Sequence, residues 1–287
     1  MTLSADERVL QVSKARSMLE DIILGPLEAT LILGSGLDGL IDNIKPENVM
    51  EYSQIPGFAT STAPSHAGRL IVGKLGGRRV GIMQGRLHLY EGWSPIDIAL
   101  PIRVLRALGA TRLVVTNAAG ALNTDFYPGD VMQISDHINL TGQNPLIGPH
   151  DDRLGLRFPD MSDAYDSRVQ VLCQNCFDNL GITLQRGIYA GITGPSLETS
   201  AERRFMRQLG GDVVGMSTVM EVIVAKQAGF EVTGLSAITN KADGGAEQQP
   251  DTIEEVLAYA SIAGDKIHRV LPSLLRAWDH DKKASQV

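Results

Sequence analysis

The sequence predicts an α/β protein in which a largely parallel or mixed sheet is covered by helices on both faces. Three observations indicate this class: apolar runs of strand length alternate with helical patterns, glycines end most of the helices, and glycine-rich or polar loops follow the strands. The 287 residues contain no linker, internal repeat or low-complexity tract. We therefore expect one domain over residues 1–287.

The first half of the chain predicts an N-terminal helix and the first strands. Ser4 and Glu7 have the spacing of a capping box and precede an apolar pattern of helical period, so a helix begins there. The elements that follow are a buried strand in ATLILG, two strands around Gly76 and Gly77, a helix from Ser94-Pro95 to Gly109 with an irregularity at Pro101, and a strand and loop in LVVTNAAG.

The second half continues the alternation of strands and helices. Its predicted elements are the strand DVMQIS, the helix SRVQVLCQNCFDNL, the strand GIYAGITG, the helix TSAERRFMRQLG, the strand DVVGMS, the helix TVMEVIVAKQAG, the strand FEVTGLSAITN and a long helix from about Thr252. In such sheets the ligand groups come from the carboxyl ends of strands. The functional residues are therefore expected in the polar and glycine-rich segments that follow the apolar runs.

The composition is that of a soluble globular protein and excludes several functional classes. Lys and Arg number 26 against 33 Asp and Glu, a formal charge of −7 with 43% hydrophobic residues. This mild acidic excess provides no basic surface for nucleic acid. No stretch reaches the roughly 18 apolar residues of a spanning helix, and the N-terminus has no apolar signal core. We expect a cytoplasmic protein without nucleic-acid or membrane partners.

Cys173 and Cys176 form a C-x-x-C motif that invites a redox or zinc interpretation. No second Cys/His pair of suitable spacing lies nearby to complete a four-ligand zinc site, and a redox motif belongs where a strand meets a helix N-terminus. The motif instead lies inside a helical pattern that ends at Gly181. We interpret the two residues as small packed thiols on one helix and expect no metal.

The segment Gly34-Ser35-Gly36-Leu37-Asp38-Gly39 satisfies the G-x-G-x-x-G pattern of dinucleotide-binding proteins. The pattern alone is weak, because a Rossmann unit needs a long helix after the third glycine, and here Pro46 interrupts the chain after LIDNIK. The glycines and the Ser35 hydroxyl can instead form a turn that donates hydrogen bonds to a phosphate. A purely structural tight turn is the remaining alternative.

Arg86, His88 and Tyr90 follow a strand in the segment GRLHLYEG. On an extended segment residues at i, i+2 and i+4 point the same way, so these three predict an anion clamp with an aromatic neighbour. His66 lies in a similar glycine-rich segment, SHAGRL. Each residue taken singly is compatible with a structural role, but together with the Ser35 turn they would surround one phosphate with donors.

Two further strand ends carry groups that suit a ligand. Ser217, before a helix that starts near Thr218, can donate to a phosphate at a helix N-terminus, or can act as an ordinary N-cap. Glu198 and Asn240 are polar groups at strand ends without an obvious local partner. A carboxylate and an amide can accept and donate across adjacent positions of a purine edge.

Taken in order, these motifs resemble the trimeric purine nucleoside phosphorylase family, which is related to the methylthioadenosine phosphorylases. The segments GSGL, HAGRL, GRLHLYEG, TNAAG, SDAYD, GPSLET, VGMSTVMEV and SAITNKA span residues 34–242. The resemblance implies a mixed sheet with a barrel-like part, a homotrimer, and a purine-salvage pentosyltransferase. Its reaction is reversible phosphorolysis of 6-oxopurine ribonucleosides or deoxyribonucleosides to the base and pentose 1-phosphate, with inorganic phosphate as co-substrate and no metal or organic cofactor.

The resemblance also implies a role for individual residues. The groups that would hold phosphate are Ser35, His66, Arg86, His88, Ser217 and the Ala118 backbone. The groups that would bind the nucleoside are Tyr90, Tyr189, Leu197, Glu198, Val214, Gly215, Met216, Thr239, Asn240 and Ile253, together with Leu154 of a neighbouring subunit. The groups expected to take part in catalysis are His88, Glu198 and Asn240, of which Asn240 would stabilise the purine leaving group.

Three positions depart from the family pattern near the sugar. Leu197 and Leu154 replace aromatic residues, and Ile253 replaces a histidine that contacts the 5′-hydroxyl. The segment 241–252 also differs and is expected to form a mobile flap. These differences keep a methylthioadenosine phosphorylase, or a phosphorylase that prefers xanthosine, as alternatives.

Two alternatives come from other functional classes. A nicotinamide oxidoreductase would depend on the glycine pattern alone. A non-catalytic nucleoside-binding protein would bind without turnover, and the combination of Arg86, His88, Glu198 and Asn240 argues against it.

Overall fold

The structure is a computed structural model that describes residues 3–63, 66–245, 248 and 250–278. Six α-helices lie in this part of the chain: α1 (Ala5–Ile22), α2 (Pro95–Ala107), α3 (Ser167–Asp178), α4 (Ser200–Gln208), α5 (Val219–Gln227) and α6 (Ile253–Ala277). The strands are β1 (Ala29–Leu33), β2 (Pro46–Glu51), β3 (Arg69–Leu75), β4 (Arg78–Gln84), β5 (Arg112–Ala121), β6 (Val131–Asn139), β7 (Leu184–Gly191), β8 (Val213–Gly215) and β9 (Glu231–Lys241).

All nine strands belong to one mixed sheet in the order β2-β3-β4-β1-β5-β8-β7-β6-β9, and an additional pairing joins β9 to β5. That pairing closes β5, β8, β7, β6 and β9 into a five-stranded barrel-like unit. Strands β4, β1, β5 and β9 run parallel to their neighbours in that series, while β3 is antiparallel to β4 and β8 to β5. The predicted α/β class, with its barrel-like part, is confirmed.

The helices pack on both faces of the sheet and bury two large apolar clusters. One cluster includes Leu19 of α1, Leu105 of α2 and Val222 of α5, all without solvent exposure. The other includes Phe177 of α3 and Leu271 of α6, which are also fully buried. Because both faces of β1 and β5 are covered, these strands are buried along nearly their whole length, as their continuous apolar sequences predict.

The predicted helix starts agree with the structure. Capping boxes occur at Ser4 before α1, at Ser94 before α2 and at Thr199 before α4, and the Thr252 hydroxyl caps α6. Pro101 lies inside α2, as predicted. No helix among the described residues is long and apolar enough to cross a membrane.

The cysteine interpretation is also confirmed. Cys173 and Cys176 both lie in α3, are buried, and are free thiols. Burial raises the pKa of the Cys173 thiol. An inert packed thiol fits these surroundings, since redox motifs have a lowered thiol pKa.

The structure differs from the local expectations in four places. Strand β2 was not predicted, because as an edge strand it pairs only with β3 and buries little more than Met50. The segment TNAAG is not a loop but the end of β5, paired with β9. Of the two roles open to Ser217, that of an ordinary N-cap is excluded, since Thr218 holds that position without a side-chain cap. Tyr90 does not follow on an extended segment, because Leu89–Glu91 form a 3-10 helix.

The segment 241–252, expected to be a flap, lies partly outside the described residues, so its mobility stays a prediction.

Candidate active site

A cavity of about 240 Å³ lies at the carboxyl ends of β1, β4, β5 and β9. Because parallel strands end at the same edge of a sheet, residues that are far apart in sequence meet there. The lining residues are Gly34, Ser35, His66, Arg86, His88, Tyr90, Asn117, Ala118, Ala119, Gly120, Leu197, Glu198, Val214, Gly215, Met216, Ser217, Thr239, Asn240, Ile253 and Val256. This list includes every predicted site residue except Leu154 and Tyr189.

Arg86 follows β4 and is the most buried cation of the cavity. Its side chain is 1% exposed, and its Nε lies 3.2 Å from Oε1 of Glu221, whose side chain is 3% exposed. Its Nη1 donates to Ser217 Oγ at 3.0 Å and to Thr218 Oγ1 at 3.3 Å. The guanidinium is therefore fixed by a buried counter-ion and by two hydroxyls, and its charge is compensated inside the protein.

Ser35 and His66 face each other beside Arg86. Ser35 Oγ lies 3.2 Å from Nε2 of His66, whose Nδ1 lies 3.0 Å from the carbonyl oxygen and 3.1 Å from the amide nitrogen of Arg86. Burial lowers the pKa of His66 to about 4, and the charges of His88 and Arg86 contribute. His66 is thus a neutral group near pH 7. Gly34 lets the chain after β1 pass close to β5, since an added Cβ would stand 2.8 Å from the Asn117 Cα.

His88 is oriented by Glu91 in the same turn. Oε1 of Glu91 lies 2.8 Å from His88 Nδ1 and accepts from the His88 backbone N–H at 2.9 Å. Burial alone would raise the pKa of Glu91, but hydrogen bonds from His88 and Thr62 lower it to about 2. The His88 ring stacks on Tyr90 at 4.6 Å and on His66 at 5.0 Å between centroids. Tyr90, which also lines the cavity, is therefore held against His88 by ring stacking.

Ser217 is presented to the cavity by a strained backbone and by Tyr189. Thr218 has φ +70° and ψ −50°, a conformation that disfavours a β-branched residue. The Thr218 hydroxyl accepts from Asn117 Nδ2 at 2.8 Å, and the Ser217 N–H donates to the Tyr189 hydroxyl at 3.2 Å. Only glycine fits at Gly215, because an added Cβ would approach the Tyr189 hydroxyl to 2.4 Å. We call Ser35, His66, Arg86, His88 and Ser217 the Arg86 cluster.

A second group of polar side chains, the Glu198 cluster, consists of Glu198, Arg203, Thr239, Asn240 and Asp251. Arg203 Nε lies 3.4 Å from Glu198 Oε2, and Arg203 Nη2 donates to Asp251 Oδ2 at 2.8 Å. Asn240 Nδ2 donates to Asp251 Oδ1 at 2.9 Å, and the Thr239 hydroxyl donates to Asn240 Oδ1 at 2.8 Å. Burial raises the pKa of Glu198, the charge of Asp251 raises it further, and Arg203 opposes the rise.

Apolar side chains supply another part of the wall. Leu197 and Ile253, both predicted site residues, line the cavity and are 54% and 55% exposed in the single chain. Val214 and Met216 line it as well, as predicted. These walls offer contact area but no hydrogen bonds to a ligand.

Two predicted residues lie elsewhere. Tyr189 is fully buried and acts on Ser217 rather than lining the cavity. Leu154 lies in a 3-10 helix over Asp152–Leu154, outside the lining of this cavity. Its predicted contact with a neighbouring subunit's sugar site stays a prediction.

Four charged residues that organise the cavity were missed from the sequence. Glu91 could have been found from its capping-box spacing to His88, and Arg203 from its place on the buried stripe of α4 with Met206. Glu221 and Asp251 give no such signal, because their partners are distant in sequence. In the described part of the chain, no group of three or more His, Cys, Asp or Glu side chains is arranged to hold a metal ion.

Comparison with known proteins identifies what this chain resembles. The model of the phosphorylase superfamily matches residues 29–276. Purine nucleoside phosphorylase 1 of Geobacillus stearothermophilus is 50% identical over 246 residues, which cover 86% of this chain and 89% of that protein. The purine nucleoside phosphorylase of Bos taurus is 47% identical over 254 residues, covering 86% of this chain and 88% of that protein.

A solved structure has the same architecture. The Schistosoma mansoni purine nucleoside phosphorylase in complex with inosine superposes with a TM-score of 0.89 at 36% identity, covering 96% of this chain and 98% of that one. All residues that line the cavity lie within the range matched by the superfamily model.

Proposed function

The chain belongs to the phosphorylase superfamily and, within it, to the purine nucleoside phosphorylases, and we propose that it catalyses reversible phosphorolysis of 6-oxopurine ribonucleosides and deoxyribonucleosides. The observation that carries the proposal is that one cavity is lined by both a set of anion donors and a carboxylate-amide pair. The Arg86 cluster suits phosphate, and Glu198 with Asn240 suits a purine. A glycosyl transfer between the two needs both groups in one enclosed space.

The Arg86 cluster supports phosphate binding without a net positive protein. Arg86 supplies charge, Ser35 and Ser217 supply hydroxyl donors, and the Ala118 backbone lines the same cavity. His66 and His88 add ring nitrogens. Because Glu221 already balances Arg86, the bound phosphate keeps much of its negative charge and remains a nucleophile.

The Glu198 cluster supports recognition of a 6-oxopurine. The Glu198 carboxylate accepts from the N1–H of hypoxanthine or guanine, and Asn240 has one N–H left to donate towards N7 or O6. Tyr90 and Met216 line the same cavity, and we assign them to contact with the pentose. Val214, Gly215 and Thr239 also line it, and we assign them to contact with the base.

The reaction follows from these positions. A phosphate oxygen bonds to C1′ of the pentose while the bond from C1′ to N9 breaks and its electron pair passes to the purine. The pentose carries oxocarbenium character in the transition state, and negative charge grows on the base. Asn240 stabilises that charge by donating a hydrogen bond that strengthens as the bond lengthens. His88, held by Glu91, helps to fix phosphate below the sugar. No covalent intermediate, metal or organic cofactor is needed.

A phosphorolysis assay tests this proposal directly. Inosine, guanosine, xanthosine, adenosine and methylthioadenosine are incubated with and without phosphate, and free base and pentose 1-phosphate are measured. We expect phosphate-dependent release of hypoxanthine and guanine with pentose 1-phosphate as the second product. Equal release without phosphate indicates a hydrolase, and methylthioadenosine or xanthosine as the best substrate replaces the proposed specificity.

We further propose a homotrimer in which Leu154 reaches the sugar site of a neighbouring subunit. Three apolar side chains near Leu154 support an interface there: Ile147, Leu156 and Phe158 are 69%, 64% and 87% exposed in the single chain. Light scattering should give the mass of three chains. A Leu154→Phe variant with an unchanged nucleoside KM would exclude the contact at the sugar while leaving the trimer.

A cytoplasmic location is proposed on the grounds of the two free thiols. Cys173 and Cys176 sit on one helix without a disulfide, which suits a reducing compartment. Subcellular fractionation with detection of the protein in the soluble fraction tests this location.

A further inference from the structure

Asp251 of the Glu198 cluster contacts a predicted base-binding residue, Asn240, from behind. Asp251 has a side chain that is 9% exposed and lies between Arg203 and Asn240. It lines an adjoining cavity of about 580 Å³ but not the 240 Å³ cavity that holds the candidate site. Asp251 therefore contacts Asn240 from outside the lining of the candidate site.

The contacts of Asn240 determine which way its amide faces. Its Nδ2 donates to Asp251 Oδ1 at 2.9 Å, and its Oδ1 accepts from the Thr239 hydroxyl at 2.8 Å. An ionised carboxylate has no proton to donate, so only the NH₂ group of the amide can face it favourably. Rotating the amide by 180° would set its oxygen against the Asp251 carboxylate and lose the hydrogen bond.

Arg203 keeps Asp251 in place. The guanidinium is 5% exposed and donates through Nη2 to Asp251 Oδ2 at 2.8 Å, on the opposite carboxylate oxygen from Asn240. Asp251 immediately precedes the cap of α6, Arg203 lies on α4, and Asn240 lies on β9. Groups from three elements thus fix one amide.

We propose that Asp251 is a specificity-determining positioning residue that fixes the Asn240 amide in the orientation which favours 6-oxopurines over 6-aminopurines. In this orientation Asn240 has one N–H and one oxygen lone pair left for the base. In the rotated orientation the oxygen would take the place of the N–H and would accept from the 6-amino group of adenine. Asp251 opposes that rotation, so the base edge of adenosine meets a mismatched donor. This inference rests on the proposed phosphorolysis of purine nucleosides.

The substitution Asp251→Asn tests the inference at constant side-chain volume. Asparagine can donate as well as accept, so it no longer opposes rotation of Asn240. We expect the ratio of kcat/KM for inosine to kcat/KM for adenosine to fall by about tenfold or more. The reason is that Asn240 can then rotate, so its N–H no longer opposes the 6-amino group of adenine. The KM for phosphate should not change. Glu254→Gln removes an exposed carboxylate three positions away and serves as the matched control.

The outcomes separate this inference from the proposed function. A wild-type protein that does not cleave inosine with phosphate contradicts the proposed function itself. If the wild type is active and folded Asp251→Asn keeps the same inosine-to-adenosine ratio, the role of Asp251 is wrong. A loss of activity that is equal for both nucleosides indicates a structural role and also overturns the inference. Should Asp251→Asn fail to fold, Asp251→Ser removes the same carboxylate, and its hydroxyl can donate as well as accept; an unchanged ratio in that variant overturns the inference equally.

Discussion

Residues of the Arg86 cluster and of the Glu198 cluster line one cavity, but the charged groups of the two clusters are partnered differently. Arg86 has its own buried counter-ion, Glu221, at 3.2 Å, and His88 has Glu91 at 2.8 Å. In the Glu198 cluster two carboxylates, Glu198 and Asp251, share the single guanidinium of Arg203. In the first cluster each of these buried groups therefore has its own partner, whereas in the second two carboxylates share one guanidinium.

This difference matches the ligands that the two clusters are proposed to bind. Phosphate brings its own negative charge, and a guanidinium that is already balanced holds it by oriented donors. A neutral 6-oxopurine brings an N–H, and an excess of carboxylate favours a ligand that donates. Two parts of one small cavity are thus tuned separately, because each has its own buried partners.

The largest expected effect comes from removing the cation of the paired cluster. Arg86→Ala should raise the phosphate KM and lower the free energy of unfolding by about 3–5 kcal/mol, because the buried Glu221 carboxylate loses its counter-ion. Denaturant unfolding and phosphate titrations measure the two effects. The double variant Arg86→Ala/Glu221→Gln should recover most of the stability but not the phosphate affinity. An Arg86→Ala protein as stable as the wild type would contradict group-by-group pairing.

A carboxylate of the shared cluster should affect the other substrate. Glu198→Gln replaces a charged acceptor by a neutral amide, and we expect kcat/KM for inosine to fall about ten- to a hundredfold, the range for a lost charge-assisted hydrogen bond. The KM for phosphate should stay within twofold of its wild-type value. Initial rates at varied inosine and at varied phosphate separate the two constants. An equal rise in both KM values would mean that the clusters are not independent.

The pH dependence of stability should contain a contribution from the Arg86 cluster. The pKa of His66 falls from 6.5 to about 4 in the folded protein, so between these values the unfolded chain binds the extra proton. This contribution to stability is present well above pH 6.5 and is lost as the pH falls towards 4; by pH 5 about 2 kcal/mol of it has been lost. Unfolding free energies at pH 7 and pH 5 measure it, and His66→Gln should reduce the difference by that amount. A variant with the same pH dependence as the wild type would show that His66 is not held neutral.

The smallest expected effect lies outside both clusters, at the apolar wall. Ile253 cannot hydrogen-bond the 5′-hydroxyl of a nucleoside, and Ile253→His should supply that bond. One hydrogen bond of about 0.5–1.5 kcal/mol lowers the KM for inosine roughly two- to tenfold. The KM for 5′-deoxyinosine should not change, since that nucleoside has no hydroxyl to bind. An equal gain for both nucleosides would mean that the histidine acts by contact alone.

The fold class and most of the residues that line the cavity could be predicted from the amino-acid sequence. Capping boxes and continuous apolar strands are local signals, so α1, α2 and β1 follow from a few neighbouring residues. Ser35, Arg86 and Asn240 could be placed in one site, because parallel strands bring their carboxyl ends to one edge whatever the connections between them.

The contacts that hold those residues in place depend on the tertiary structure. Arg86 and Ser217 are 131 positions apart, and the pairing of β5 with β9 that closes the barrel-like unit joins distant strands as well. Glu221, Arg203 and Asp251 became visible as partners only when their helices and strand ends were packed together. The role of a buried charged side chain depends on the groups packed around it. The spacing of residues in the sequence does not show which distant group will be its partner.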